Sequence, residues 1–354
     1  MSLRTLWWED GKVFLINQRK LPGTLEYREC REPTQIAEAI KNLEVRGAPA
    51  IGVAAAYSLA LAAHNSEAAT RKQLLEDLKV TASLIKKTRP TAWNLFWAVN
   101  RVLEKVGSDV LEVETIRNTV INEALAIAEE DIKINKKIGA NGAALLKSGD
   151  VVGTICNAGW LATAGEYGTA LGVIKVAKEE GKNISVIALE TRPALQGARL
   201  TAFELKRDGI EIRVIPDGAI GYVLSKGKID KFICGADRIV WSSGCHVFNK
   251  IGTYTVAIAA NRHLVPFYVA APVSTFDFEN NLNDVIIEER EAKEVIEIQG
   301  QRIVPDGMQV MNPAFDVTPP ELIHAIITEK GIIRAPFREN THKLTGSSLR
   351  RNTT

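Results

Sequence analysis

The chain has 354 residues, enough for about two domains that each bury a large core. Apolar residues make up 46% and charged residues 24%, which excludes a wholly disordered chain. The 44 basic and 42 acidic side chains nearly cancel, so no overall basic excess indicates a nucleic-acid or anionic-membrane ligand.

The first part of the chain has the apolar spacing of helices, after one short strand at residues 12–17. Residues 50–63 are rich in small apolar side chains and predict a buried helix, and residues 113–138 predict a long amphipathic one. We therefore expect a mainly helical domain with short strands over residues 1–140. The predicted helices cover residues 34–45, 50–63, 74–86, 92–106 and 113–138.

From residue 151 onward, apolar strand-like runs alternate with helix-like segments. This alternation predicts an α/β fold, with a Rossmann-like, doubly wound parallel sheet over residues 141–340 and a flexible tail over 341–354. The predicted strands are 151–156, 184–189, 211–215, 231–234 and 266–271. The predicted helices between them are 162–180, 196–207, 219–225 and 254–263.

The four cysteines show no Cys-x-x-Cys spacing, so we expect no zinc site. The chain opens without a secretory signal, and its longest apolar stretch, residues 48–63, is too short and too interrupted for a membrane span. These features predict a reducing, cytoplasmic location.

Polar side chains follow the predicted strands, at the edge where open parallel sheets bind ligands. Cys156 follows the first strand, and position alone leaves open whether it is a reactive thiol or a buried small side chain. Asp237 follows the fourth, where position alone favours a helix cap or an ion pair with Arg238 over a general acid. Cys234 and the remaining two cysteines are interpreted as structural.

Several residues could contact a phosphate. Arg46, Gly47 and Ala48 precede an apolar helix whose first N–H groups suit an anion, although an ordinary buried turn is the simpler interpretation. The segment lacks the Gly-Lys-Ser/Thr of a P-loop, and no Gly-x-Gly-x-x-Gly opens the sheet, which disfavours a dinucleotide-binding enzyme. Further candidates are Arg89, Gln196, Asn249 and Lys250, although for each of them taken alone a solvated or ion-paired surface role is the default interpretation.

Taken in order, these segments resemble the methylthioribose-1-phosphate isomerase family. That family shares a superfamily with the regulatory subunits of eukaryotic translation initiation factor 2B. The similarity covers nearly the whole chain, from residue 3 to about residue 330. Its motifs are residues 21–22, 45–52, 88–92, 156–159, 162–165, 190–193, 196–201, 235–239, 249–254 and 266–272.

The resemblance implies an aldose–ketose isomerase of methionine salvage that acts on 5-methylthioribose 1-phosphate. It implies a homodimer, with a sugar phosphate as ligand, and no metal or other cofactor. The family's catalytic cysteine and aspartate fall on Cys156 and Asp237. Its substrate contacts fall on Arg46, Gly47, Ala48, Arg89, Gln196, Asn249 and Lys250.

Two departures from the family pattern leave the sugar open. Ile155 stands where the family usually has histidine, and residues 241–248 contain no acid where the family often has one. An isomerase of 5-deoxyribose 1-phosphate or ribose 1,5-bisphosphate is therefore an alternative. A second alternative is a non-catalytic subunit of the initiation factor 2B type, which should lack Cys156 or Asp237. The resemblance also leaves open whether hydrogen moves between C2 and C1 through an enediol or by hydride shift.

Overall fold

A computed structural model of the protein describes residues 4–107 and 112–341. The chain divides into two compact units. The first contains the residues up to Lys137 together with Ala158–Gly172, and the second contains Ile138–Asn157 and the residues from Val173 onward. The domain boundary near residue 140 stays a prediction, and the predicted tail lies outside the described residues from 342 onward.

The first unit combines a small sheet with a group of helices. Its strands form an antiparallel meander in the order β1-β2-β3. The predicted helices are all present, within a few residues at their ends. The elements are β1 (Leu6–Glu9), β2 (Lys12–Ile16), β3 (Tyr27–Cys30), α1 (Pro33–Lys41), α2 (Ala48–Asn65), α3 (Arg71–Lys86), α4 (Trp93–Lys105) and α5 (Val113–Ala143), the last of which continues into the second unit.

Helix α2 forms the centre of this unit. Its side chains are buried without a break from Ala50 to Ala63, as expected of a helix that is apolar on every face. Its small residues let α4 approach closely, and a Cβ on Gly52 would lie 3.0 Å from the carbonyl oxygen of Asn94. Both of these residues are near the start of their helices, so the N-terminal ends of α2 and α4 lie side by side.

The elements of the second unit, of which α6 begins in the first, follow in chain order. They are β4 (Val151–Thr154), α6 (Ala170–Glu179), β5 (Ser185–Leu189), α7 (Ala202–Arg207), β6 (Glu211–Ile215), α8 (Ile220–Ser225), β7 (Lys231–Cys234), β8 (Arg238–Val240), β9 (His246–Lys250), α9 (Thr253–Arg262), β10 (Phe267–Ala270), β11 (Phe276–Asp277), α10 (Lys293–Ile296), β12 (Glu297–Ile298), β13 (Gln301–Arg302), β14 (Phe315–Thr318), β15 (Ala325–Thr328), β16 (Gly331–Ile333) and α11 (Phe337–Asn340).

The main sheet has seven strands in the order β6-β5-β4-β7-β10-β15-β16. All neighbouring pairs are parallel except β15 with β16. This is the doubly wound Rossmann order, and the chain moves outward in opposite directions from β4 and from β7. Phe232 and Phe267 stack on the face that packs against α8 and α9. The end of α5 packs against α6 and β15, where Gly142 approaches Val173 and Ile327. The predicted doubly wound sheet is confirmed.

One prediction about local structure is wrong, and one feature of the fold was not predicted. Residues 162–180 are not one helix, because α6 begins only at Ala170 and a single 3₁₀ turn, Trp160–Ala162, precedes it. The intervening chain passes so close to Gly159 that a Cβ on Gly168 would lie 2.2 Å from it. The sequence pattern also missed a second sheet in the order β11-β8-β9-β14, whose shortest strands have only two or three residues. Among the described residues, no helix is both long and apolar enough to cross a membrane.

Candidate active site

Cys156 and Asp237 follow two adjacent strands of the main sheet. Cys156 comes two residues after the end of β4, and Asp237 comes three residues after the end of β7. The chain leaves these strands in opposite directions, so a crevice opens beyond their carboxyl ends. The topology therefore puts both predicted catalytic residues at the place where Rossmann-like sheets bind ligands.

The backbone of Cys156 is held in an uncommon conformation. Its φ of 65° lies in the left-handed region, which a residue with a side chain adopts only when its surroundings enforce it. The backbone N–H donates to Thr191 Oγ1 at 2.9 Å. Thr201 Oγ1 in turn donates to the Cys156 carbonyl oxygen at 2.7 Å. Two side-chain hydroxyls thus hold the backbone polar groups of this residue.

The thiol of Cys156 is largely buried, with 6% of the residue exposed. Gln196 Nε2 lies 3.5 Å from its Sγ, so the amide side chain that the resemblance assigns to substrate binding also contacts the cysteine. Gln196 Oε1 is buried and has no hydrogen-bond partner among the described residues. A buried acceptor without a donor costs free energy, which a bound hydroxyl group would recover.

Cys234, at the end of β7, lies within electrostatic range of Cys156, Asp237 and Asp316. Burial raises the pKa of the Cys234 thiol well above its usual range, and the electrostatic interactions with those three groups raise it further. The thiol is therefore held neutral in an apolar setting. Cys234, interpreted from the sequence as structural, therefore lies beside residues of the candidate site.

Asp237 starts the turn into the second sheet, where its backbone N–H donates to the carbonyl oxygen of Phe248 at 2.9 Å. The guanidinium of the neighbouring Arg238 lies 2.8 Å from the buried carboxylate of Asp277. This pair belongs to the packing of the second sheet and anchors the residue that follows Asp237.

Asn249 and Lys250 lie at the end of β9, before helix α9. The Asn249 side chain is buried and donates to Thr253 Oγ1 at 3.1 Å. The Lys250 ammonium lies 5.3 Å from the centre of the Phe315 ring. Both residues pair with β14, in which Asp316 stands opposite Asn249.

Asp316 caps the helix that follows these residues. Its Oδ2 accepts hydrogen bonds from the backbone N–H groups of Gly252 at 2.7 Å and Tyr254 at 3.1 Å. Burial raises the pKa of Asp316 to about 6, against the lowering effect of the two N–H groups and of Lys250. The sequence did not indicate Asp316, because β14 was not predicted.

In the first unit, the four predicted contact residues lie at the adjacent N-terminal ends of α2 and α4. Gly47, with a φ of 94°, precedes α2, and a Cβ there would lie 2.5 Å from Ala162. Only glycine fits this turn, which carries Arg46 before it and Ala48 at the start of the helix. Arg89 is largely buried in the connection that leads to α4.

The two departures from the family pattern lie in ordinary structural settings. Ile155 is 1% exposed and packs in the core of the second unit, 3.3 Å from where a Cβ on Gly252 would lie. In the segment without an acid, His246 Nδ1 lies 2.8 Å from the carbonyl oxygen of Ser243. Over residues 4–107 and 112–341, no group of three or more His, Cys, Asp or Glu side chains is arranged to hold a metal ion.

The structure thus places Cys156, Gln196, Asp237, Asn249 and Lys250 at one edge of the second unit. The residues that support them, namely Thr191, Thr201 and Asp316, were not predicted from the sequence. Thr191 lies within a motif quoted for the resemblance, but nothing in the sequence indicated which backbone its hydroxyl contacts.

Known proteins are similar to this chain over nearly its whole length. The sequence model of the initiation factor 2 subunit family matches residues 44–335. Methylthioribose-1-phosphate isomerase of Thermotoga petrophila is 50% identical over 347 residues, which is 98% of this chain and 99% of that protein.

Solved structures agree with this result. The crystal structure of 5-methylthioribose 1-phosphate isomerase from Pyrococcus horikoshii OT3 has a TM-score of 0.87 and 42% identity, and the match covers 96% of this chain and 95% of that one. A structure from A. fulgidus, described as translation initiation factor eIF-2B, subunit delta, has a TM-score of 0.84 and 50% identity over 97% and 99% of the two chains. The resemblance drawn from the motifs is confirmed. The chain belongs to the initiation factor 2 subunit family, in the group of its methylthioribose-1-phosphate isomerases.

Proposed function

We propose that the protein converts 5-methylthioribose 1-phosphate into 5-methylthioribulose 1-phosphate, an aldose–ketose isomerisation of methionine salvage. The observation that carries this proposal is the placement of Cys156 and Asp237 at the switch point of the Rossmann-like sheet. The chain that carries these two residues is 50% identical over nearly its full length to a methylthioribose-1-phosphate isomerase.

The substrate sets the order of the steps. Its C1 oxygen carries the phosphate, so the sugar ring cannot open as a free hemiacetal does. In this proposal Asp237 donates a proton to the ring oxygen as the bond from that oxygen to C1 breaks. The cation that forms at C1 makes the hydrogen on C2 acidic.

Hydrogen then moves from C2 to C1. Cys156, acting as a thiolate, takes the C2 proton to give an enol phosphate, and the thiol so formed returns a proton to C1. The C2 hydroxyl gives its own proton back to Asp237 as the ketone forms, so the reaction is an isomerisation with no net gain or loss of protons. The sulfur can move a proton between C2 and C1 only if it lies in contact with these carbons. The fixed backbone of Cys156 favours such a position.

The remaining candidates would bind the substrate. In the second unit, Gln196 and Asn249 are proposed to bind sugar hydroxyls, and Lys250 is proposed to bind the phosphate. In the first unit, Arg46 and Arg89 are proposed to bind the phosphate, since guanidinium groups can donate two parallel hydrogen bonds to it. Gly47 and Ala48 would add the positive end of α2.

The test is to mix the purified protein with 5-methylthioribose 1-phosphate and to follow ketose formation by NMR. We expect Cys156→Ser and Asp237→Asn to lower kcat by about 10²- to 10⁴-fold, because each removes a proton-transfer group. The matched controls make the same chemical changes elsewhere. They are Cys30→Ser, in the core of the first unit, and Asp306→Asn, whose side chain is 93% exposed. Both should keep wild-type kcat per folded molecule.

The reaction in D₂O tests the route of the hydrogen. A proton carried by Cys156 exchanges with solvent, so the ketose should contain deuterium at C1. Deuterium at C1 would exclude a pure hydride shift, whereas an unlabelled C1 would fit either a hydride shift or a thiol proton that is shielded from solvent.

Absence of turnover by the wild-type protein would exclude the named substrate. Tests of 5-deoxyribose 1-phosphate and ribose 1,5-bisphosphate would then follow. The name of the A. fulgidus relative favours a second candidate, a subunit of the initiation factor eIF-2B type without catalysis. Failure with all three sugars would make it the leading candidate, although this chain has both the cysteine and the aspartate.

We also propose that the protein acts in the cytoplasm as a homodimer. Its four cysteines are all free and buried, as expected of a protein made in a reducing compartment.

A further inference from the structure

We propose that Thr191 and Thr201 are positioning residues that fix the thiol of Cys156 for the reaction. Their hydroxyls contact the backbone N–H and the carbonyl oxygen of the same cysteine, at 2.9 and 2.7 Å. The catalytic part of this inference rests on the proposed function, but the positioning of the thiol can be measured without any substrate.

Cys156 needs such support because its backbone is in the left-handed region, with a φ of 65°. A cysteine has no intrinsic preference for that conformation, so it persists only when neighbouring groups enforce it. The direction of the Cα–Cβ bond follows from the backbone dihedrals. The hydrogen bonds to the N–H and the carbonyl therefore determine where the sulfur lies.

Thr191 is itself rigidly held. It is fully buried, and its hydroxyl donates to the carbonyl oxygen of Leu189 at 3.1 Å, which leaves a lone pair for the N–H of Cys156. Its own backbone N–H donates to Asp217 Oδ1 at 2.8 Å. A β-branched residue with a φ of 65° is also uncommon, so two successive loops at this edge adopt strained conformations that support each other.

Thr201 is equally buried and lies at the end of a single wide turn of π type, Gly197–Thr201, before α7. Such turns occur frequently at functional sites. Asn157 donates to Thr201 Oγ1 at 3.3 Å and to the buried carboxylate of Glu204 at 2.7 Å. The hydroxyl of Thr201 thus accepts from Asn157 and donates to Cys156, which gives it one defined orientation.

The same turn positions the amide that contacts the thiol. Gln196, whose Nε2 lies 3.5 Å from Cys156 Sγ, directly precedes Gly197. A Cβ on Gly197 would lie 1.8 Å from the carbonyl oxygen of Leu189, so this turn packs directly against the end of β5. The cysteine backbone and its amide neighbour are therefore fixed by one segment.

The experiment compares Thr191→Val, Thr191→Ser, Thr201→Val and Thr201→Ser. Valine keeps the shape and removes the hydroxyl, whereas serine keeps the hydroxyl and removes a methyl group. The matched control is Thr318→Val, because Thr318 is a fully buried threonine whose hydroxyl has no hydrogen-bond partner among the described residues. Three quantities are measured: kcat and KM, the rate of Cys156 alkylation by iodoacetamide from peptide mass spectrometry, and the unfolding temperature.

We expect both valine variants to lower kcat by about 10- to 100-fold with KM changed by less than about threefold, because a displaced thiol affects the reaction rather than binding. Their Cys156 alkylation rate should change from that of the wild type by at least about threefold, since the sulfur is no longer held in one place. The serine variants and Thr318→Val should match the wild type in both measurements.

Impaired serine variants beside unimpaired valine variants would overturn the proposal. If the two threonines only fill space, the valine variants should behave as the wild type and the serine variants should be impaired. Wild-type kcat and alkylation in folded Thr191→Val and Thr201→Val would overturn it as well. If one valine variant does not fold, the valine–serine pair at the other position decides. If the wild type does not isomerise the sugar, the proposed function fails, while the alkylation rates still test the positioning of the thiol.

Discussion

At the scale of single residues, burial changes the pKa of individual carboxyl groups. Asp131, on α5, is 9% exposed, and its Oδ2 accepts a hydrogen bond from the N–H of Ala164 at 2.7 Å. Burial raises the pKa of Asp131 to about 6, although this hydrogen bond and one with Asn135 act in the opposite direction. The folded protein therefore retains a proton on Asp131 at pH values where the unfolded chain has lost it.

This difference predicts the pH dependence of stability. The ordinary pKa of the carboxyl is 3.8, so as pH rises from about 4 to about 6 the unfolded chain loses a proton that the folded protein keeps. Asp131 therefore contributes most to the free energy of unfolding below pH 4, and its contribution decreases as pH rises through this window. A difference of about 2 pH units corresponds to at most about 3 kcal/mol.

Asp131→Asn should remove this decrease, because an amide stays neutral and its oxygen can still accept from Ala164. Urea unfolding at pH 4, 5, 6 and 7 measures it, with Asp306→Asn as the exposed control. The variant should gain stability relative to the wild type between pH 4 and pH 6. A constant difference across this range would contradict the assignment.

At the scale of secondary structure, the cap of α9 connects stability to the candidate site. The residue before this helix is Gly252, which has no side chain to accept from the first N–H groups, and Asp316 of β14 accepts from them instead. The helix start is thus held by a strand distant in sequence. That strand also pairs with Asn249 and Lys250.

Asp316→Ala should lower the free energy of unfolding by about 1–2 kcal/mol, the usual effect of losing a cap. It should also raise KM for the sugar phosphate, because the turn that carries Lys250 loses its anchor. Asp316→Asn should retain most of both properties, since both N–H groups donate to one oxygen.

Thr70→Ala is the matched control. Thr70 caps α3 in the first unit through a hydrogen bond from the N–H of Gln73. This variant should lose similar stability, measured by urea unfolding, and keep the wild-type KM. A KM that rises equally in both alanine variants would show that general destabilisation, not the turn at Lys250, is responsible.

At the scale of the whole molecule, the second unit exposes several large apolar side chains. They include Tyr222, Leu264, Ile286 and Met311, with exposed fractions of 67%, 91%, 77% and 85%. Exposed apolar side chains favour association, and soluble oligomers are most often symmetric dimers. We expect light scattering after size-exclusion chromatography to give twice the chain mass of 38.7 kDa, about 77 kDa. A mass of 38.7 kDa at every concentration would contradict the proposed homodimer.

The sequence alone and the tertiary structure determine different features of this protein. The continuous run of small apolar residues over 50–63 was sufficient to predict α2. The apolar periodicity of residues 113–138 was sufficient to predict α5, because a helix of that length repeats its pattern several times. The short strand-like segments 211–215 and 231–234 also predicted β6 and β7 correctly. Strands of two or three residues, such as β8 and β11, contain too few positions for any period to be recognised.

The motifs around Cys156 and Asp237 were sufficient to assign the family, because motif order is a property of the sequence alone. Only the tertiary structure decided that β4 and β7 are adjacent, and that Thr191, Thr201 and Asp316 support the candidate site. Each of these contacts joins residues that are 35 to 64 positions apart. No local pattern encodes such contacts, because they depend on how the strands are arranged in space.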